Sequence, residues 1–287
     1  YQQALELTKR LLGEEHPDVA LNLNNLAALY HYTGRYSQAE TLYQQALELT
    51  KRLLGEEHPD VALNLNNLAA LYHSTGRYSQ AETLYQQALE LTKRLLGEEH
   101  PDVALNLNNL AALYHYTGRY SQAETLYQQA LELRKRLLGE EHPDVALNLN
   151  NLAALYHYTG RYSQAEPLYQ QALELRKRLL GEEHPDVAVS LNNFAGLYES
   201  TERYSEAEPL YKQALELTKR LLGEEHPDVA ANLNNLAQLY KSTGRYNEAE
   251  PLYQQALAIC ERTLGVGHPN TMMVRGNYAK FLREAHR

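Results

Sequence analysis

A 42-residue period constrains this chain more than any other feature. Tyr1, Tyr43, Tyr85, Tyr127, Tyr169, Tyr211 and Tyr253 fall on it, as does a His-Pro dipeptide running from His16-Pro17 to His268-Pro269. Segments 17–58 and 59–100 differ only at Tyr32 against Ser74, and divergence grows after residue 188. A fixed period of this size signals stacked supersecondary units. Each is too small to bury its own apolar face, so stacking must supply the core. The composition follows from copying a few positions: 23 tyrosines stand beside no tryptophan and two phenylalanines.

Each unit reads as two helices. The first starts at Pro17, where a missing N–H costs nothing, with Asp18 in the positively polarised first turn. Val19, Leu23, Leu26, Ala27 and Tyr30 follow helical spacing, and Gly34 ends the run. Ser37 with Glu40 three residues on has the form of a capping box opening the second helix. Ala39, Leu42, Tyr43, Ala46, Leu47, Leu53 and Leu54 give its apolar side, Glu48 and Arg52 an i,i+4 pair, and Gly55 its stop. Pro167, Pro209 and Pro251 fall near the end of the first turn of later copies, where about one helical hydrogen bond is lost and a slight bend is expected. No segment shows the two-residue alternation of a strand, which excludes a propeller of similar period.

The totals narrow the function. A net charge of -9 disfavours nucleic-acid binding, which needs clustered Lys and Arg. No apolar run approaches the roughly 18 residues of a membrane helix, and the opening "YQQALELTKR" has no signal-peptide character. The lone Cys260 leaves no intrachain disulfide and points to a reducing, cytoplasmic setting. Nucleophile elbows, P-loops and dinucleotide fingerprints are absent from the sequence. The Glu14-Glu15 series reads as a charged loop without a nucleophile beside it. No enzyme and no cofactor is expected.

Leu23, Leu26-Ala27, Tyr30, Ala39, Tyr43 and Ala46 match the spacing of the tetratricopeptide repeat, with Leu23 and Ala27 in place of the usual tryptophan and glycine. With "HPDVA", "LNNLA", "LY", "GRY" and "AE.LY..AL" on a 42-residue unit, the chain resembles the kinesin-light-chain-like subclass of that family, as found in many bacterial repeat proteins. The resemblance spans essentially the whole chain. It implies an all-α, right-handed superhelical solenoid of antiparallel helix pairs. Residues 1–287 read as one array: 1–16 the second helix of a partial unit, full units at 17–58, 59–100, 101–142, 143–184, 185–226 and 227–268, and a C-terminal capping helix at 269–287.

By the same resemblance, the first helix of each unit lines a concave face that holds an extended peptide or partner segment. The first asparagine of "LN.LA" contacts the peptide backbone in such domains. It carries over to Asn24, Asn66, Asn108, Asn150, Asn192 and Asn234, and fails at Gly276. An amide both donates and accepts, so it can pair with a peptide unit whatever the side chain. Helices about 10 Å apart would offer one amide per roughly three extended residues. The alternative is that Asn24 and Asn25 bond to adjacent units and lock the stack. His31, His73, His115 and His157 are expected as a solvated groove column, spaced too widely to share an ion, with Tyr32, Tyr116 and Tyr158 reaching the same groove. The His16 series belongs to helix starts. Because residues 1–12 carry no polar capping substitutions, self-association at that end, or continuation in a longer array, is expected. Two functions remain: a scaffold binding a protein or peptide in the groove, or a structural unit that stacks end to end with no groove ligand.

Overall fold

The computed structural model describes residues 1–285. Its fourteen described helices include no strand among the described residues, and they fall into two compact units, Tyr1–Glu140 and Glu141–Arg287. The first unit holds α1 (Gln2–Leu12), α2 (Pro17–Tyr32), α3 (Tyr36–Leu54), α4 (Pro59–Ser74), α5 (Tyr78–Leu96), α6 (Pro101–Tyr116) and α7 (Tyr120–Leu138). The second holds α8 (Pro143–Tyr158), α9 (Tyr162–Leu180), α10 (Pro185–Ser200), α11 (Tyr204–Leu222), α12 (Pro227–Ser242), α13 (Tyr246–Thr263) and α14 (Pro269–Ala285). Within each unit the helices pair into hairpins that pack on one another, α1 on α2 and α14 on α13, which is the layout of a helical solenoid.

Local chemistry sets the ends. His16 caps α2 by accepting the Asp18 amide on Nδ1 at 3.2 Å, and His58, His100, His142, His184 and His226 repeat the bond. At the other end the Thr33 hydroxyl donates to the Leu29 carbonyl at 2.9 Å, after which Gly34 turns the chain at φ 73°, a region L side chains rarely adopt. The expected capping box does not form. α3 starts at Tyr36 with Arg35 at its cap and no side-chain cap bond, because Glu40 is drawn to the following repeat instead. Nor does Arg52 pair with Glu48: its guanidinium sits 3.2 Å from Glu15 in the loop before α2. α9 continues through Pro167 to Leu180.

The seam inside each hairpin is made of small residues. Ala27, Ala39 and Ala46 are fully buried, and so are their copies Ala69, Ala81 and Ala88. Cβ-only side chains let two helix backbones approach closely, and Tyr43 or Tyr85 fills the remaining volume at 3% exposure. Burial pushes the Tyr43 phenol up to about 12.

Two polar devices then join one hairpin to the next. In the first, the Thr50 hydroxyl donates to the Ala46 carbonyl and accepts from Asn64 Nδ2 at 2.9 Å, with the same arrangement at Thr92–Asn106 and Thr218–Asn232. Where this threonine becomes Arg176, the facing asparagine becomes Ser190, which accepts the guanidinium at 2.8 Å. Where it becomes Cys260, the corresponding residue is Val274, and both are buried. In the second device, Glu82 on α5 takes both guanidinium nitrogens of Arg119 at 2.8 Å and the Tyr114 hydroxyl at 3.0 Å, while the guanidinium carbon lies 3.9 Å from the Tyr114 ring centre. Arg77, Tyr72 and Glu40 repeat it. The Arg119 bonds hold the Glu82 carboxyl below its ordinary value.

A double-mutant cycle on Thr92→Val and Asn106→Ala should give a coupling of about 1 kcal/mol, as for a buried hydrogen bond between neighbours. Urea unfolding of the four proteins measures it, and additive effects would show that the bond contributes nothing.

Candidate functional site

The first helices of the repeats (α2, α4, α6 and their successors) present one exposed stripe. On α4 it runs through the exposed Asp60, Leu63 and Ser74, with the half-buried Asn67 and Ala70 between them at helical spacing. Its leucines were not singled out by periodicity, yet Leu21 is 55% exposed and Leu63 46%. Each leucine lies two residues before the core leucine of its helix, off the core stripe, and that offset is the signal that could have flagged it.

The Asn24 series sits differently from the expectation of a groove-facing amide. Asn24, Asn66, Asn108, Asn150 and Asn234 are buried, at 2 to 8% exposure, and Asn192 is half-buried. Their carbonyl oxygens are already used. Asn67 Nδ2 donates to Asn24 Oδ1 at 3.1 Å, Asn109 to Asn66 at 3.0 Å, Asn193 to Asn150 at 3.2 Å, Asn235 to Asn192 at 3.1 Å and Asn277 to Asn234 at 3.1 Å. Asn67, Asn109, Asn193, Asn235 and Asn277 thus reach back to the first asparagine of the preceding repeat, which is the stack-locking role set out as the alternative. The physical reason is angular: residue 24 points towards the neighbouring helix, whereas residue 25 lies at the edge of the exposed stripe. Gly276 ends the series of acceptors, but Asn277 remains and donates.

The other half of the amide is placed differently. Asn24 lies in a cavity of about 270 Å³ walled by Leu21 and Leu63, with Asp18 and Asp60 on its rim. Asn66 lies in the next, about 210 Å³, between Leu63 and Leu105. In the second unit Asn192 lies in one of about 150 Å³ between Val189 and Ala231. The Nδ2 groups of Asn24, Asn66 and Asn192 donate to no protein group among the described residues. Each notch therefore has aliphatic walls, an acidic rim and an asparagine whose N–H₂ is reachable from solvent and makes no bond within the described residues.

His31, His73, His115 and His157 are half-buried rather than solvated, and burial lowers all four below the usual histidine value. His31 Nε2 lies 2.8 Å from the Ser74 hydroxyl, and His157 repeats this with Ser200. His73 meets Tyr78 and Tyr116 edge-on, with ring centres 6.1 and 5.3 Å apart. Tyr32, Tyr116 and Tyr158 project outward, at 54, 68 and 69% exposure.

A tetratricopeptide repeat family model matches residues 1–52, 22–94, 60–136, 102–178, 144–220, 186–262 and 228–287. The chain belongs to the tetratricopeptide repeat family. Among solved structures it is similar to BtubC (BKLC) from P. vanneervenii, with 29% identity, TM-score 0.65, and coverage of 80% of this chain and 92% of that one. A kinesin-light-chain-like protein of Podosopora anserina with nearly identical TPR-like repeats matches at 28% identity and TM-score 0.57, over 72% of this chain and 98% of that one. The APC/C hetero-tetramer Cut9-Hcn1 shares the fold at 20% identity and TM-score 0.65, over 97% of this chain and 46% of that one. No curated protein matches the sequence significantly. As tetratricopeptide repeats these helix pairs form a solenoid of the kind that serves generally as a protein-interaction scaffold; no catalytic family is indicated. No described helix is long and apolar enough to cross a membrane.

Acid should loosen the repeat stack in two stages. A histidine held below its ordinary 6.5 by burial binds its proton less readily folded than unfolded, so the stability it contributes is complete above that value and lost as pH falls through the folded one. Glu82, also held low, keeps its contribution until pH falls below the ordinary 4.5 of a carboxyl. Urea midpoints measured from pH 7.5 to 3.5 should fall at both stages. His73→Gln should reduce the upper slope and Glu82→Gln the lower; an unchanged profile in either variant contradicts its assignment.

Proposed function

We propose that this tetratricopeptide repeat chain is a non-enzymatic scaffold that holds an extended segment of a partner protein along the exposed stripe of its first helices. The observation that carries the reading is the split amide. Asn24, Asn66 and Asn192 spend their oxygens on the next repeat and keep an N–H₂ without an acceptor at the floor of an apolar notch. These N–H₂ groups are reachable from solvent and have no acceptor within the described residues, so a peptide carbonyl can accept from them. Such a bond needs no particular side chain on the ligand. Tyr32, Tyr116 and Tyr158 add exposed aromatic surface further along the stripe, beside the half-buried His31, His73, His115 and His157. In this reading the whole of 1–287 serves as one array, as its uniform period suggests.

Asn66→Asp separates the two roles of the amide. It keeps an oxygen for Asn109 and removes the N–H₂ that faces the notch. Unstructured peptides selected by display on the natural chain should lose at least tenfold in affinity for this variant, measured by fluorescence anisotropy, while its helical circular dichroism is retained. Equal affinity of every selected peptide for both proteins would show that the notch amide touches no ligand.

A further inference from the structure

We infer that the segment held by the first unit is a polyproline-II helix with an apolar side chain at every third position and basic residues between; this rests on the groove reading above. The geometry points to it through three independent features: spacing, hydrogen bonding and charge.

Spacing comes first. The Asn24 and Asn66 notches share Leu63 as a common wall, so they are adjacent, one repeat apart. Neighbouring packed helices stand about 8–10 Å apart. A polyproline-II helix rises about 3.1 Å per residue with three residues per turn, so positions i and i+3 face the same way, about 9.3 Å apart. A β-strand cannot do this: its period of two puts i and i+3 on opposite faces, and i and i+2 fall only about 6.6 Å apart. Only the threefold helix drops successive side chains into successive notches. Cavities of about 270 and 210 Å³ walled by Leu21, Leu63 and Leu105 have room for an aliphatic side chain.

Hydrogen bonding favours the same conformation. A polyproline-II segment makes no internal hydrogen bonds, so all its carbonyls are free to accept. It also tolerates proline, whose missing N–H does not matter here, because the notch floor offers a donor: the Asn24 and Asn66 oxygens are already occupied.

Charge fixes the residues between. Asp18, Asp60 and Asp102 line the two cavities with side chains 58, 59 and 57% exposed. Each has its own capping histidine at 3.6 to 3.7 Å, and among the described residues no lysine or arginine lines either cavity. A basic residue beside each apolar one meets this rim, and an acidic one is repelled.

The test is fluorescence anisotropy with four labelled peptides on the full chain: (Leu-Pro-Lys)4, (Leu-Pro-Glu)4, (Ser-Pro-Lys)4 and (Leu-Lys)6. The first is expected to bind saturably, at least tenfold tighter than each of the others at low ionic strength. It should weaken at least tenfold with Leu63→Ser, a half-exposed wall whose loss leaves the helix intact by circular dichroism, and likewise with Asn66→Asp. Equal binding of (Ser-Pro-Lys)4 would reduce the effect to bulk charge and overturn the inference. So would equal or tighter binding of (Leu-Lys)6 or (Leu-Pro-Glu)4, or no binding of (Leu-Pro-Lys)4. If in those cases display-selected peptides still depend on Asn66, the groove reading survives alone. If no peptide depends on Asn66 or Leu63, both fall.

Discussion

The structure depends on one constraint: no hairpin here can bury its own apolar surface, so each must seat on the next. The fully buried alanines at the hairpin seam bring two helices close, but they leave Leu71 and Leu113 to be covered by neighbouring helices, and both are fully buried. Apolar stacking alone has no register, since one leucine surface slides on another at little cost. The polar links supply it. A buried threonine answered by an asparagine, an asparagine bonded to an asparagine one repeat earlier, and a glutamate held by a tyrosine and an arginine each have a single geometry that satisfies them. Arg176 with Ser190 and Cys260 with Val274 change together, whereas at Arg134 the matching residue stays Asn148.

The same economy explains the paired asparagines. One amide in each pair must reach back to the preceding repeat, and the other must receive it. Two adjacent helical residues differ by about 100° around the axis, so they can face different neighbours. The receiving amide uses its oxygen in this bond; at Asn24, Asn66 and Asn192 its nitrogen is left at a notch between helices, and at Asn108 and Asn234 it donates to the neighbouring asparagine. In the proposed function, stacking and recognition share a residue without competing for the same atom. A regular stack then repeats the notch at regular intervals, which suits a ligand that is itself periodic.

Much of the fold could be read from the residues. His-Pro-Asp gave the helix starts, Gly34 and Gly55 the stops, and the alanine positions the seam, because these are local effects that a single helix or turn determines. What could not be read depended on a residue one repeat away. Glu40 looked like half of a capping box until Arg77 was seen to claim it, and Glu48 looked like a partner for Arg52 until Glu15 was nearer. The site was legible in kind but not in detail. The tyrosines Tyr32, Tyr116 and Tyr158 do face outward, whereas the histidines beside them are partly enclosed by tyrosine rings. Asn24 is expected to face the groove, but which neighbour its amide meets depends on how adjacent helices pack.

The central claim is that the two halves of the first asparagine do different work. Side-chain amide hydrogen exchange tests it most directly, with resonances assigned by the loss of each signal in single Asn→Asp variants. The account predicts that Asn109 Nδ2, bonded to Asn66, exchanges slowly in the free protein. Asn66 Nδ2 should exchange faster and become protected only when a groove peptide is added. Equal protection of both amides in the free protein, unchanged by peptide, would contradict it.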